Sequence, residues 1–248
     1  QWLQRLQHAL KENQFELFVQ PIISVAGRVR EGPALEVLLR MRDESGELIL
    51  PEQFLGSAAR YQLMSHIDRW VVQATLTAIA SGALRLPDER SCAINLSGQT
   101  LGDEDFLEFV VEALDHTGVA PSQLCFEIPE SVVVTNLDHA HRFINVLHGI
   151  GCRFALDDFG NGIGSFSNLK YLEIDYLKID GNYIRDLDTD SVNHAMVTAM
   201  IKLARTLDFQ IVAEQVEDQA SFETVRRMGV DFVQGYVVER PHALPTVH

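Results

Sequence analysis

The sequence predicts an α/β fold, a closed (β/α)8 barrel of the TIM type that is irregular at its first strand. Three observations support this. Eight short runs of β-branched and apolar residues alternate with stretches of helical periodicity along the 248 residues. No Gly-x-Gly-x-x-Gly pattern follows the first run, which disfavours an open dinucleotide-binding sheet. Residues 24–32 join the first two runs without helical periodicity, and so short a link favours antiparallel neighbours.

The predicted elements follow one another in regular order. Strands are expected at 15–23, 33–41, 92–97, 124–130, 152–158, 175–180, 210–216 and 232–238. Helices are expected at 51–63, 64–80, 103–118, 137–151, 192–207 and 218–229. The amphipathic stretch 1–13 predicts a further helix, which we expect to continue a linker from an upstream domain. Because no composition shift divides the chain, we expect residues 1–248 to form a single domain, part of a longer protein.

Composition limits the partners. The formal net charge of −15 argues against a nucleic-acid polymer or an anionic membrane surface, since both require a basic face. A phosphorylated small molecule stays possible if metal ions neutralise the site. Cys92, Cys125 and Cys152 lack Cys-x-x-Cys spacing and lie in or beside apolar runs, so we expect buried, reduced thiols and a cytoplasmic location. No apolar run is long enough to span a membrane.

Each predicted strand carries one polar residue near its C-terminal end. In strand order these are Gln20, Glu36, Asn95, Glu127, Asp157, Lys178, Glu214 and Gln234. Two positions earlier, on the same face by the strand period, stand Phe18, Ala34, Ala93, Cys125, Ala155, Tyr176, Val212 and Phe232. A single polar strand end could be a cap or a salt bridge. Eight in phase predict an apolar layer below a polar one, the cross-section of a barrel with its site at the top.

The residue types in the polar layer predict the chemistry. Asp157 and Asp158 are adjacent, and two neighbouring carboxylates repel each other unless a positive charge lies beside them. Carboxylate and amide oxygens without histidine or thiolate favour Mg²⁺ or Mn²⁺ over zinc. We therefore expect two divalent ions, with Lys178 holding the attacking water or a phosphoryl oxygen. A glycosidase would also use strand-end carboxylates, but it needs only two, together with aromatic residues that stack on sugars.

Seven short motifs occur in an order and spacing that resemble the EAL-domain family of bacterial cyclic di-GMP phosphodiesterases. They are EVLLR (36–40), NLS (95–97), FEIPES (126–131), LDDFGNG (156–162), YLKID (176–180), VAEQVE (212–217) and QGY (234–236). The first is an EVL variant of the eponymous motif. The resemblance implies hydrolysis of one 3′–5′ phosphodiester of cyclic di-GMP to give linear pGpG, with Mg²⁺ or Mn²⁺ as a pair of ions and Ca²⁺ inhibitory.

The resemblance also assigns roles to individual positions. The implied metal ligands are Glu36, Asn95, Glu127, Asp157, Asp158 and Glu214. Lys178 is expected to position the water, Gln234 to support it, and Glu130 to steady the loop after the paired aspartates; Glu36 and Glu214 also count as catalytic. Expected substrate contacts are Gln20, Leu39, Arg40, Asn95, Asp180, Glu217 and Tyr236. The implied partners are a second copy, bound through the 159–169 region, and an upstream sensor or GGDEF-type domain.

The chain departs from the family pattern at five positions. These are Val37 for alanine, Pro129 for threonine, Asn161 and Ile163 for threonine and tyrosine, and Gln215 for glycine. None removes a catalytic side chain, and Val37 is expected to point away from Glu36. The alternatives are a sensor that binds cyclic di-GMP without hydrolysing it and a domain that only contacts partners. Silent members usually lose the motif glutamate, an aspartate of the pair or the lysine, and this chain keeps all of them.

Overall fold

The computed structural model describes residues 1–25, 27, 31–160 and 166–244, with the side chains of residues 166 and 167 left out. The strands are β1 Phe15–Pro21, β2 Ile23–Ser24, β3 Gly32–Arg42, β4 Leu48–Ile49, β5 Arg90–Asn95, β6 Leu124–Pro129, β7 Arg153–Phe159, β8 Tyr176–Ile179, β9 Gln210–Ala213, β10 Phe232–Val233 and β11 His242–Ala243. The helices are α1 Trp2–Lys11, α2 Pro51–Arg60, α3 Met64–Ser81, α4 Gly98–Leu101, α5 Glu104–Thr117, α6 Glu130–Thr135, α7 Leu137–Gly149, α8 Gly181–Ile184, α9 Ser191–Thr206 and α10 Gln219–Met228.

The sheet closes into the predicted barrel. From β3 through β5, β6, β7, β8 and β9 to β10, each strand lies parallel to the next. The segment formed by β1 and β2 completes the ring, because β1 pairs antiparallel with β3 and β2 pairs antiparallel with β10. The prediction of an antiparallel first strand is therefore confirmed. Helices such as α3, α5, α7 and α9 pack outside the sheet over a continuous apolar core.

All eight predicted strands and the seven predicted helices are present, with ends that differ by a few residues. The predicted strands at 210–216 and 232–238 end early, at Ala213 and Val233. Five short elements were not predicted, because they are too short to show a period: β4, β11 and the four- to six-residue helices α4, α6 and α8. Two of the departures from the family pattern, Asn161 and Ile163, lie outside the described residues.

The apolar layer inside the barrel differs from the prediction at the first strand. Its members are Ile22, Ala93, Cys125, Ala155, Tyr176, Val212 and Phe232. The prediction of Phe18 was wrong: because β1 runs antiparallel, the residue below Gln20 comes two positions later in the chain, at Ile22. Ala34 is half-buried and outside the layer, since the β3–β5 register shifts around it.

Val37 and the three cysteines are buried, as the sequence predicts. Val37 is buried in the core between the sheet and the outer helices, so it points away from Glu36 as predicted. The three cysteines are buried and free. Over the part of the chain that the structure describes, no helix combines the length and apolar character needed to cross a bilayer.

Candidate active site

The polar residues of the strand ends meet at one end of the barrel. The strand register sets the height of these residues along the barrel axis. Gln20 pairs with Glu36 across β1 and β3, and Asn95 pairs with Glu127 across β5 and β6. Gln20, Glu36 and Glu127 are buried, whereas Asn95 is exposed. The polar layer therefore contains both buried side chains and a solvent-exposed one.

Glu36 is held by amide donors. Asn95 Nδ2 donates to Glu36 Oε1 at 2.9 Å, and Gln234 Nε2 donates to Glu36 Oε2 at 2.6 Å. Gln234 Nε2 also donates to Gln20 Oε1 at 3.1 Å. These contacts link β1, β3 and β5 with the residue that follows β10. They hold the Glu36 carboxylate in one orientation, as a metal-binding carboxylate requires.

Lys178 is the cation at the centre of the layer. Its side chain is 1% exposed, and Nζ lies 2.7 Å from Glu127 Oε1, 3.0 Å from Glu214 Oε1 and 3.6 Å from Glu36 Oε1. A buried ammonium is tolerated only where opposite charges compensate it. The three carboxylates therefore hold Lys178 in place, and Lys178 offsets part of their mutual repulsion.

The charges in this layer do not cancel. Burial alone would raise the pKa of Glu36, but the Lys178 charge and hydrogen bonds from three side chains lower it to about 2. Burial and the charge of Glu36 raise the pKa of Glu127 well above its ordinary range. Burial and the charge of Asp157 do the same to the pKa of Glu214. One lysine is therefore too little positive charge for the group, and additional cations would be stabilised here.

A break in strand β7 brings both paired aspartates to the site. Neighbouring strand residues normally point to opposite faces. Here the β7–β8 register shifts between Leu156 and Phe159, and Asp158 has a left-handed backbone with φ of 51°. As a result, oxygen atoms of Asp157, Asp158 and Glu214 lie within 4.8 Å of one another. Burial and the charge of Asp157 raise the pKa of Asp158 to about 6.

Two acidic clusters share Asp157. The first contains Glu36, Glu127 and Asp157, and the second contains Asp157, Asp158 and Glu214; each offers three oxygen atoms within 4.8 Å of one another. Glu127 Oε2 is buried and has no hydrogen-bond partner among the described residues. An unpaired carboxylate oxygen beside other carboxylates fits a hard divalent cation such as Mg²⁺ or Mn²⁺. The residues present thus fit two neighbouring ions.

A cleft of about 470 Å³ opens above the clusters. Its lining includes predicted site residues, namely Gln20, Glu36, Asp157, Asp158, Glu214, Glu217, Gln234 and Tyr236. The cleft is also lined by Leu38, Arg185 and Gln215, to which no sequence motif gave a role in the site. The strand period could have identified Leu38, because it shares a face with Glu36. Arg185 follows the short helix α8, and no pattern in the sequence indicates its position.

The remaining predicted contacts lie around this cleft. Arg40 donates from Nη1 to the Leu39 carbonyl at 2.8 Å and stacks on the Phe18 ring at 5.1 Å. The structure does not bring the Leu39 side chain into the cleft: it packs against the core and lines a neighbouring cavity with Arg40 and Asn95. Its role in substrate binding stays a prediction.

Two carboxylates are held by the backbone. Asp180 is buried and accepts a hydrogen bond from the Asn182 N–H at 2.9 Å, which caps helix α8. Glu130, the first residue of α6, accepts a hydrogen bond from the Gly160 N–H at 3.0 Å through Oε2. Glu130 thus contacts the backbone directly after the paired aspartates, where the sequence analysis expects it to steady the chain.

A family model described as the EAL domain matches residues 3–241. The chain belongs to the EAL-domain family. Cyclic di-GMP phosphodiesterase PdeF of Escherichia coli strain K12 is 38% identical over 242 residues, which cover 98% of this chain and 32% of that protein. This EAL domain therefore spans about a third of the length of that relative.

Solved structures of other EAL domains share the fold. The FimX EAL domain of Pseudomonas aeruginosa, bound to c-di-GMP, superposes with a TM-score of 0.89 at 29% identity, covering 97% of this chain and 96% of that one. The PaMucR phosphodiesterase in a c-di-GMP complex gives a TM-score of 0.88 at 33% identity, again covering 97% and 96%. The TIM-like barrel predicted from the sequence is thereby confirmed.

Proposed function

We propose that this EAL domain hydrolyses cyclic di-GMP to linear pGpG with two divalent ions, Mg²⁺ or Mn²⁺. The observation that carries the proposal is the pair of acidic clusters sharing Asp157 around the buried Lys178. The names of PdeF and PaMucR as phosphodiesterases support the same activity for this chain. The chain keeps every side chain that the resemblance marks as catalytic, which favours turnover over a silent sensor.

The ions would be held by six side chains, namely Glu36, Asn95, Glu127, Asp157, Asp158 and Glu214. When bound, divalent ions neutralise charge on a phosphoryl group and lower the pKa of a bound water molecule. The Lys178 ammonium provides a fixed positive charge beside three of the ligands and would orient the attacking water. Gln234 keeps Glu36 in orientation, and Glu130 holds the backbone after Asp158.

Substrate recognition would fall to residues around the cleft. Arg40 and Gln20 offer N–H donors for phosphate and guanine, and Asp180 and Glu217 offer carboxylates for the N–H edge of guanine. Leu39, Asn95 and Tyr236 complete the expected contacts. Ca²⁺ is expected to inhibit, because its longer bonds and higher coordination number would not suit a site that works with the smaller Mg²⁺.

The experiment is incubation of the purified domain with cyclic di-GMP and Mn²⁺ or Mg²⁺, followed by chromatography of the products. We expect pGpG, and we expect a chelator to abolish it. Glu36→Gln and Asp157→Asn should each lower the rate by more than about a hundredfold, beyond the loss typical of outer-shell partners. Glu112→Gln, on the exposed face of α5, is the matched control. Binding of cyclic di-GMP by calorimetry without product in either metal would contradict hydrolysis and indicate the sensor.

We also propose a cellular setting. Since the chain spans about a third of PdeF, an upstream sensor or GGDEF-type domain is expected in the longer protein, with residues 1–248 as one domain. The buried free thiols agree with a cytoplasmic location. We expect a homodimer through the 159–169 region. Residues 161–165 lie outside the described residues. Tyr171, close to this region in the chain, is 63% exposed. Sedimentation of the wild type tests the dimer, and a monomeric wild type would refute it. Tyr171→Glu, two residues beyond the region, should weaken the dimer.

A further inference from the structure

Gly160 is held by hydrogen bonds on both of its backbone polar groups. Its N–H donates to Glu130 Oε2 at 3.0 Å, and its carbonyl accepts from the Tyr183 hydroxyl at 2.6 Å. Glu130 begins α6 and Tyr183 belongs to α8, so two separate elements hold the peptide groups on both sides of the Gly160 Cα atom. The resemblance assigns a role to Glu130, whereas nothing in the sequence analysis assigned one to Tyr183.

The contact with Tyr183 is close as well as polar. Gly160 has a φ of 98°, a left-handed conformation that favours glycine. A Cβ atom placed there would lie 2.4 Å from Met200 Cε and 3.0 Å from Tyr183 Cε2. The backbone of Gly160 therefore packs directly against the Tyr183 ring and helix α9, so a shift of either element would move Gly160.

Gly160 directly follows the register shift in strand β7. Asp158 has a left-handed backbone, which costs free energy in a residue with a side chain and persists only where neighbouring contacts maintain it. On the downstream side, Phe159 is buried and pairs with Ile179, and Gly160 is tied to Glu130 and Tyr183. Release of Gly160 would let Asp158 relax toward ordinary strand geometry, in which its carboxylate leaves the face of Asp157.

We propose that Tyr183 is a positioning residue: through its hydrogen bond to the Gly160 carbonyl it keeps Asp158 beside Asp157 and thereby sets the affinity of the site for divalent metal. The inference rests on the metal site of the proposed function. Tyr183 does not line the cleft, so it acts through the backbone and not on the substrate.

Tyr183→Phe tests the inference, because it removes the hydroxyl and keeps the ring that packs on Gly160. The readout is Mn²⁺ binding to the metal-free domain without substrate, followed by the EPR signal of free Mn²⁺. We expect the apparent dissociation constant to rise about fivefold, which corresponds to about 1 kcal/mol, the net contribution of one hydrogen bond. The Mn²⁺ concentration for half-maximal hydrolysis should rise equally, while kcat at saturating Mn²⁺ stays unchanged.

Tyr61→Phe is the control, because it removes a hydroxyl from an exposed tyrosine just after α2, outside the cleft. It should leave Mn²⁺ binding unchanged. Hydrogen exchange of the metal-free domain should be faster around Gly160 in Tyr183→Phe and unchanged in Tyr61→Phe. Unchanged Mn²⁺ affinity in Tyr183→Phe would overturn the positioning role, even if thermal stability fell. Wild-type domain that binds Mn²⁺ but releases no pGpG would contradict the proposed function, and the titration would still decide the role of Tyr183.

Discussion

Replacement of Lys178 by methionine tests how much of the barrel's stability depends on the central cation. The ammonium is 1% exposed and lies 2.7, 3.0 and 3.6 Å from carboxylate oxygens of Glu127, Glu214 and Glu36. At an effective dielectric constant of about 20, one such ion pair is worth roughly 5 kcal/mol before desolvation is counted. The net cost of leaving buried carboxylates without their partner is about 3–5 kcal/mol.

The assay is urea unfolding of the domain in the presence of EDTA. We expect the free energy of unfolding of Lys178→Met to fall by about 3–5 kcal/mol, or the melting temperature by roughly 6–20 °C for a chain of this size. Lys202→Met, on the exposed side of α9, should change little. In saturating Mn²⁺ the loss should shrink, because divalent cations neutralise the same carboxylates. An unchanged free energy of unfolding in EDTA, or an equal loss with and without Mn²⁺, would refute the reasoning.

Three further predictions concern packing and pH. A Cβ atom on Gly181 would lie 2.1 Å from Gln215 Oε1 and 2.5 Å from Gln215 Cβ. Gly181→Ala should therefore lower the free energy of unfolding by about 1–3 kcal/mol, and the double variant with Gln215→Gly should recover most of it in a double-mutant cycle; additive losses would contradict this. Gly32→Ala places a Cβ atom 2.2 Å from Phe232 Cζ at a φ of 139°. Thermal denaturation should therefore show a free energy of unfolding lower by at least about 2 kcal/mol, and an unchanged melting temperature would be evidence against that packing. Burial raises the pKa of Asp68 to about 6, so the folded state binds more protons than the unfolded state and stability falls as pH rises from the ordinary value of 3.8 through 6. Asp68→Asn should remove about 2.4 kcal/mol of that pH dependence in urea unfolding between pH 4 and 7, and an unchanged slope would refute the assignment.

The sequence was most informative where a regular period applies. Strand alternation alone predicts Glu36, Glu127 and Lys178 in one layer, because parallel strands bring equivalent positions to the same end of a barrel. The same rule was wrong for Phe18, because the first strand runs in the opposite direction. The antiparallel direction predicted for this strand places the residue below Gln20 later in the chain, at Ile22.

Features that interrupt the period could not be predicted from it. The rule of alternation places Asp157 and Asp158 on opposite faces, and only the register shift in β7 unites them. The contact of Tyr183 with Gly160 joins residues 23 positions apart through a four-residue helix, which leaves no repeating pattern. Such contacts depend on tertiary packing, and a local pattern carries no information about them.

The closure of the barrel by its first strand has a consequence for how the protein is made. Ile23 pairs with Val233, and Gln20 accepts a hydrogen bond from Gln234, so both the sheet and the polar layer are completed across more than 200 residues of chain. Contacts of such long sequence separation form late, since the intervening loop must be ordered first. A nascent chain leaving the ribosome therefore exposes the edges of its sheet until nearly the whole barrel has been synthesised. Both the acquisition of activity and the end of that aggregation-prone period therefore depend on closure of the barrel by its first strand.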